Sequence, residues 1–313
     1  MKSQHAGIRG SKASHIYSLV GNLRSFAAIT AMAIFASSSA PAQAEVLHHY
    51  GNSVAHEIVN VVAVDMAKLR PLVPAAYTIV PASSVHFGRP DQGLVVIENV
   101  QAFNAVVDSS ALPRSLVHID VAILIAEPAS AASLGLNIPG AFHLYLLRIF
   151  TDDPRFSASL HSGGMPVEFD QRIGYERTMD DTTGVGNLVV TVPDRYPFLY
   201  SINTSQGYAP HTGANVAAFW HDGERGTTVL SFVDQPFRQG GALSRIYTRP
   251  NGSLQLLLNG GGLESCPPDQ KTGFICILAP SVNFKFDNGT VGKLQLLKPS
   301  RPNYRSFPQW VRM

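Results

Sequence analysis

The chain carries little charge and almost no cysteine, and it lacks the short motifs that mark many enzyme chemistries. Asp, Glu, Lys and Arg make up 15% of its 313 residues, against about a quarter in ordinary soluble domains. No Lys/Arg cluster and no basic stripe interleaved with aromatics occurs, so nucleic-acid binding has no support. The absence of a G-x-S-x-G elbow leaves an α/β-hydrolase serine without motif support. "HEIVN", from His56, begins like the zinc-protease signature, but Asn60 stands where the second histidine belongs. His48, His49, His56 and Glu57 are close in sequence, yet they sit where chain termini are usually disordered, so no metal site is assigned there. "GVG" at 184–186 and "GGG" at 260–262 have no strand-to-helix context, so they read as turn glycines and no nucleotide cofactor is implied. Long apolar runs are scarce too. The longest, "FAAITAMAIFA" from Phe26, falls short of the roughly 20 residues that span a bilayer.

That run has a meaning of its own. Lys2, Arg9, Lys12 and Arg24 precede or adjoin it without an acidic residue, and "APAQA" ending at Ala44 has the small-residue pattern of a cleavage site. Residues 1–44 therefore read as an export signal, with the remainder, 45–313, as a single domain that is periplasmic or secreted and not inserted in the membrane. Loss of the leader lowers Lys+Arg from 24 to 20 against 22 Asp+Glu, so the net charge moves from +2 to −2 and the basicity of the precursor says nothing about partners. The two cysteines, Cys266 and Cys276, flank "PPDQKTGFI", a turn-forming segment. In an oxidising compartment they read as a disulfide closing a short loop, the alternative being two buried free thiols.

What is present is mostly strand. "GLVVIENVQAF" (93–103), "LVHIDVAILIA" (116–126), "FHLYLLRIF" (142–150), "GNLVVTVP" (186–193), "ANVAAFWHD" (214–222), "GTTVLSFVDQ" (226–235), "GSLQLLLNG" (252–260) and "SVNFKFDNG" (281–289) are short, rich in β-branched or aromatic residues and bounded by turn formers. Such spacing predicts a mainly β fold, an antiparallel barrel or sandwich. Two short helices are expected, one in "DMAKLRPLVP" capped by Asp65 and one in "DPRFSASLHSGG" running to Gly163.

Three stretches carry a family resemblance. "VAVDMAKLRPLVPAAY", "GLVVIENVQAF" and "GAFHLYLLRIFTDDPRFSASLHSGGMPVEFDQRIGYE" resemble the entry element, the glutamate-bearing strand and the active-site loop of the acetoacetate decarboxylase superfamily, over residues 54–192. The resemblance implies a cone-shaped antiparallel β-barrel with an interior cavity and a few peripheral helices. In the decarboxylases a lysine pair follows the loop proline and one lysine forms a Schiff base with the keto acid. Here Pro166 is followed by Val167 and Glu168, and beyond the leader the lysines are Lys68, Lys271, Lys285, Lys293 and Lys298, none near this loop. Ala55 and His56 stand near the position of the family's cavity arginine, whereas the strand glutamate matches as Glu98. The scaffold looks kept and the imine chemistry lost.

Glu98 and Glu168, placed in one apolar cavity, would supply the split acid and base that proton transfer needs. His143 joins them as a catalytic candidate, with His118, Arg148 and Tyr175 on segments able to face a substrate. The plain alternatives are a solvated Glu168, a Glu98 paired with an arginine such as Arg148, and structural histidines. Lys285, between Phe284 and Phe286 in strand alternation, is expected to face solvent. Two functions remain open: acid/base catalysis on a small carbonyl or carboxylic acid substrate, without a cofactor, or non-catalytic binding of an apolar small molecule. A homo-oligomer is left open.

Overall fold

Both faces of the central strands are covered, so alternation gives way to continuous burial: every position of Leu116–Ile125 is buried, His118 and Asp120 included. The computed structural model describes residues 44–193, 198–204, 207–211, 215–234, 237–259, 261, 264–266 and 274–297. Apart from Ala44, the expected leader lies outside these residues.

The order of elements is β1 (Ala44–Gly51), β2 (Val54–Asp65), α1 (Met66–Leu69), β3 (Gln92–Phe103), β4 (Val106–Val107), β5 (Ser110–Ala111), β6 (Leu116–Ile125), β7 (Phe142–Thr151), α2 (Pro154–Ser162), β8 (Val167–Phe169) and β9 (Gly174–Met179). There follow β10 (Gly186–Val192), β11 (Phe198–Thr204), β12 (Ala209–His211), β13 (Asn215–Gly223), β14 (Gly226–Asp234), β15 (Phe237–Thr248), α3 (Ser253–Leu258), β16 (Glu264–Cys266), β17 (Ile275–Phe286) and β18 (Thr290–Leu297). The fold is mainly β. Pairing runs β4–β1–β18–β14–β13–β7–β6–β3–β2–β17–β15–β11–β10–β9. It is antiparallel except where β7 meets β13 and β8.

Among the described residues this run of pairings does not return on itself, so pairing alone does not close a ring. The sheet nevertheless curls hard. Four pairings separate β9 from β17, about 19 Å in a flat sheet, yet Met179 Sδ lies 3.8 Å from Asn283 Nδ2. At the other side, β3 bends at Asn104, whose φ is 51°, and continues into β4, which pairs with β1. The curl separates two cores. One, on the face of Ile58, Ile97, Ile119 and Trp220, is covered in part by β10. The other, on the face of Ala55, Val96, Ala122 and Phe286, is covered by α2 and β1.

Two local expectations need correction. "GSLQLLLNG" is not a strand: Ser253–Leu258 is helical. Gln255 and Leu258 are buried there and Leu254 and Leu257 pack on the core, while Leu256 is 54% exposed. Burial at three- and four-residue spacing is helical, whereas a strand would have buried 254, 256 and 258 together. The helix after Asp65 covers only Met66–Leu69 before a 3₁₀ turn at Arg70–Leu72, and Asp65 makes no side-chain cap bond. By contrast, Asp153 accepts from the backbone N–H groups of Arg155 and Phe156, and α2 stops at Gly163 as its sequence suggests.

Candidate functional site

Period-two geometry places the chemistry. On the face of the second core, β2 presents Glu57, β3 presents Glu98, and β6 presents His118 and Asp120. Glu98 stands directly opposite Asp120 in the β3–β6 register, and directly opposed residues have Cβ atoms about 5 Å apart on a shared face. These side chains line a cavity of about 50 Å³ together with Tyr50, Phe156, Phe232 and Phe286. Among the described residues no lysine or arginine lines it.

The histidine is fixed from both sides. His118 Nδ1 lies 3.0 Å from Asp120 Oδ2, and its ring lies between Phe232, at 6.2 Å and 20° between planes, and Phe156, at 5.4 Å. Phe156 is brought there by the start of α2: Asp152 Oδ1 accepts from Val117 N–H at 2.9 Å, Thr151 Oγ1 donates to Val117 C=O at 3.0 Å, and Asp153 caps the helix. α2 is thus anchored one residue from His118 on β6. Asp120 is fully buried, and its second oxygen, Oδ1, has no hydrogen-bond partner. Tyr50 closes another wall, its hydroxyl 2.9 Å from Ser159 Oγ; burial pushes its phenol well above the ordinary value, so it stays protonated. At the rim, Asn52 Nδ2 donates to Thr290 Oγ1 at 2.6 Å and Asn52 Oδ1 accepts from Thr290 N–H at 3.2 Å.

The other candidates lie elsewhere. Glu168 is opposite Phe150, which is opposite Ile119; because opposed residues share a face, Glu168 is on the far side of the sheet from Asp120 and Glu98. There it accepts a hydrogen bond from Arg148 Nη1. The two glutamates do not share the cavity. His143 is opposite Ile125 and also faces away; its Nδ1 accepts from Trp220 Nε1–H at 3.2 Å, and burial lowers its pKa to about 4. Tyr175 packs against the first core, with its hydroxyl buried and without a hydrogen-bond partner, and burial pushes the phenol up. Lys285 does not point into solvent as expected. Its side chain is 13% exposed, Nζ donating to Asp181 C=O at 3.1 Å and pairing with Asp287 at 3.3 Å. It is absent from the cavity wall.

Glu57, Asp120 and the aromatic walls were missed by sequence reasoning. Asp120 was findable: it follows His118 by two residues in "LVHIDVAILI", so strand alternation puts both on one face. The aromatics come from β1, α2, β14 and β17, and no local pattern joins those.

No family model matches the chain, and no curated protein matches it. Among solved structures it is similar to an acetoacetate decarboxylase-like enzyme from Sphingomonas wittichii RW1, with 10% identity over 81% of this chain and 94% of that one, at a TM-score of 0.42. A structure of acetoacetate decarboxylase has 13% identity over 80% and 89% of the two chains, at 0.44. The enduracididine biosynthesis enzyme MppR, complexed with the condensation product of pyruvate and imidazole 4-carboxaldehyde, has 10% identity over 80% and 89%, at 0.41.

Proposed function

We propose that the protein is an exported member of the acetoacetate decarboxylase-like superfamily, its sheet curled into that family's barrel, which has exchanged Schiff-base chemistry for acid/base catalysis on a small carbonyl compound. One observation carries this reading: a His118–Asp120 dyad faces Glu98 inside a largely apolar cavity lined, among the described residues, by no lysine. Asp120 accepts from His118 Nδ1–H and so leaves Nε2 as the basic nitrogen. Glu98, directly opposite Asp120 in the β3–β6 register, brings a second carboxyl group to the face that carries the imidazole. The roles that follow are proton abstraction next to a carbonyl by His118, protonation of the carbonyl oxygen by Glu98, and positioning of the imidazole by Asp120.

The test is deuterium incorporation. Small ketones and keto acids incubated with the protein in D₂O are followed by NMR at the carbon beside the carbonyl. Exchange should exceed the buffer rate, and His118→Gln should lower it about 100-fold. Borohydride added with pyruvate or acetoacetate should leave no lysine adduct, since imine formation needs an amine in the cavity. Absence of exchange with every carbonyl tried would reject catalysis in favour of the second reading, a binding protein, which the aromatic wall of Tyr50, Phe156, Phe232 and Phe286 favours. A trapped adduct on Lys285 would restore Schiff-base chemistry.

A further inference from the structure

A second constellation forms where β1, the β4–β5 turn and the end of α2 meet. His48 Nδ1 is 2.6 Å from Asp108 Oδ2, and His48 Nε2 is 2.7 Å from Ser162 Oγ. An ionised carboxylate only accepts, so Nδ1 carries the proton and the neutral ring turns its Nε2 lone pair to the serine hydroxyl. Each member is placed by the fold. Asp108 and Ser109 alone join β4 to β5, with φ of 49° and 66°, a primed turn in which glycine is the usual second residue. His49 N–H donates to Asp108 Oδ1 at 2.9 Å and fixes the carboxylate. The β1–β18 register slips between Val46 and His48, and this bulge brings Leu47 as well as His48 to the end of α2. Gly163 lets that end come close, since a Cβ there would meet Leu294 Cδ2 at 2.6 Å. Ser162 sits at the negative end of the helix, where Arg225 Nη1 donates to its C=O. The hydroxyl has one competing acceptor, Ser159 C=O at 2.7 Å, the back-bond of a plain helix end.

The geometry points to a serine esterase site in which Ser162 is the nucleophile, His48 the general base and Asp108 the residue that orients the imidazole. Such a triad is recognised by geometry and not by sequence order, and no elbow motif surrounds Ser162 in "SLHSGG". Ser162 Oγ attacks the acyl carbon of a carboxylic ester while its proton passes to His48 Nε2; the tetrahedral intermediate then breaks its C–O bond to the alcohol, which leaves with that proton. Water attacks the acyl-serine in turn. His48 takes a proton from the water and returns it to Ser162 Oγ, and the carboxylic acid is released. Arg225 supplies the positive donor for the oxyanion, because its guanidinium has further N–H groups beyond the one on Ser162 C=O. The side chains of His48 and Asp108 are 22% and 47% exposed, so the ester approaches from solvent, and Leu47 offers a short acyl chain its apolar contact. None of His48, Asp108 and Ser162 lines the cavity described above, so this activity stands apart from the acid/base chemistry proposed there.

The test is labelling of the whole protein with diisopropyl fluorophosphate, followed by peptide mass mapping, together with hydrolysis of p-nitrophenyl acetate. The phosphoryl group should be found on Ser162, and ester turnover should disappear with it. Ser162→Ala, at an exposed position, should abolish both without moving the thermal melt. His48→Gln should lower the labelling rate at least about 100-fold. Asp108→Asn keeps an acceptor for His49 N–H and suits the turn, so it folds even where the histidine variant does not; with the imidazole no longer held in the reactive tautomer, kcat should fall about 100-fold with KM little changed. Arg225→Gln should lower turnover about tenfold or more. No adduct, an adduct only on another residue, ester turnover undiminished in Ser162→Ala, or labelling of Ser162 at the parental rate in His48→Gln or Asp108→Asn would overturn the inference and leave the hydroxyl as a helix-end bond to Ser159 C=O.

Discussion

His56 and His143 are buried alike, away from the wall of the cavity described above, and they set how the protein responds to acid. Each is 4% exposed. Burial lowers His56 to about 4, with Arg177 and Lys285 adding to the effect and Asp181 and Asp287 opposing it, and burial alone lowers His143 to about 4. A folded-state value below the unfolded value of about 6.5 means that the unfolded chain binds more protons between them. Stability from these histidines is therefore complete above about pH 6.5 and is lost as pH falls toward 4, by roughly 3 kcal/mol each at the limit. Denaturant unfolding at pH 7 and pH 4.5 should show this loss, and His143→Gln should flatten the slope. A slope that is level or reversed in that window would count against it. Little of this was legible in the sequence: a histidine alone in an apolar strand gives its burial, but not whether Trp220 or Asp120 is its partner. His118 and His143 look alike in sequence, and only the register with β3 and β13 puts them on opposite faces of the sheet.

At the scale of elements, the strands were legible where alternation or continuous apolar character is strong, as in β3, β6 and β7, and the capped helix α2 was legible from Asp153, Pro154 and Gly163. α3 was misread because a leucine-rich hexamer fits both periods until its partners are known. Two junctions position the cavity and can be tested. Asp153→Ala removes the acceptor for two N–H groups at the start of α2, and the expected loss is about 1 kcal/mol in chemical denaturation, accompanied by weaker ligand binding because Phe156 flanks His118. Gly289 lies between β17 and β18 with φ +70°, and a Cβ there would meet the Asn52 carbonyl oxygen at 1.9 Å. Gly289→Ala must strain the left-handed backbone and push Asn52 away, so a loss of roughly 1–3 kcal/mol is expected. Since Asn52 and Thr290 form the rim, ligand affinity should fall with stability. A variant as stable as the parent would show that this junction yields more readily than its geometry indicates.

At the scale of the molecule, the β class was readable but the pairing order was not, because β7–β13 and β1–β18 join segments far apart in sequence and only the assembled cores choose between them. Export is the setting in which the whole chain is proposed to work, and it makes two linked predictions. Sequencing of the exported protein should begin at or near Glu45, since Ala42 and Ala44 occupy the small positions read by the peptidase; cleavage there costs the sheet only the first pair of β1, Ala44 with Leu297. Export would also carry the cysteines into an oxidising compartment. β16 sets Cys266 directly opposite Cys276 on β17. Both kinds of antiparallel pair have Cα separations, about 4.5 and 5.5 Å, within the range that a disulfide spans. The exported protein should therefore be two hydrogens lighter in intact mass without reductant than with it, and reduction should cost about 2–3 kcal/mol of stability. Protein made without the leader in a reducing cytoplasm should show two alkylatable thiols and melt at a lower temperature. Two free thiols in protein recovered from the oxidising side would break the link between register and bond.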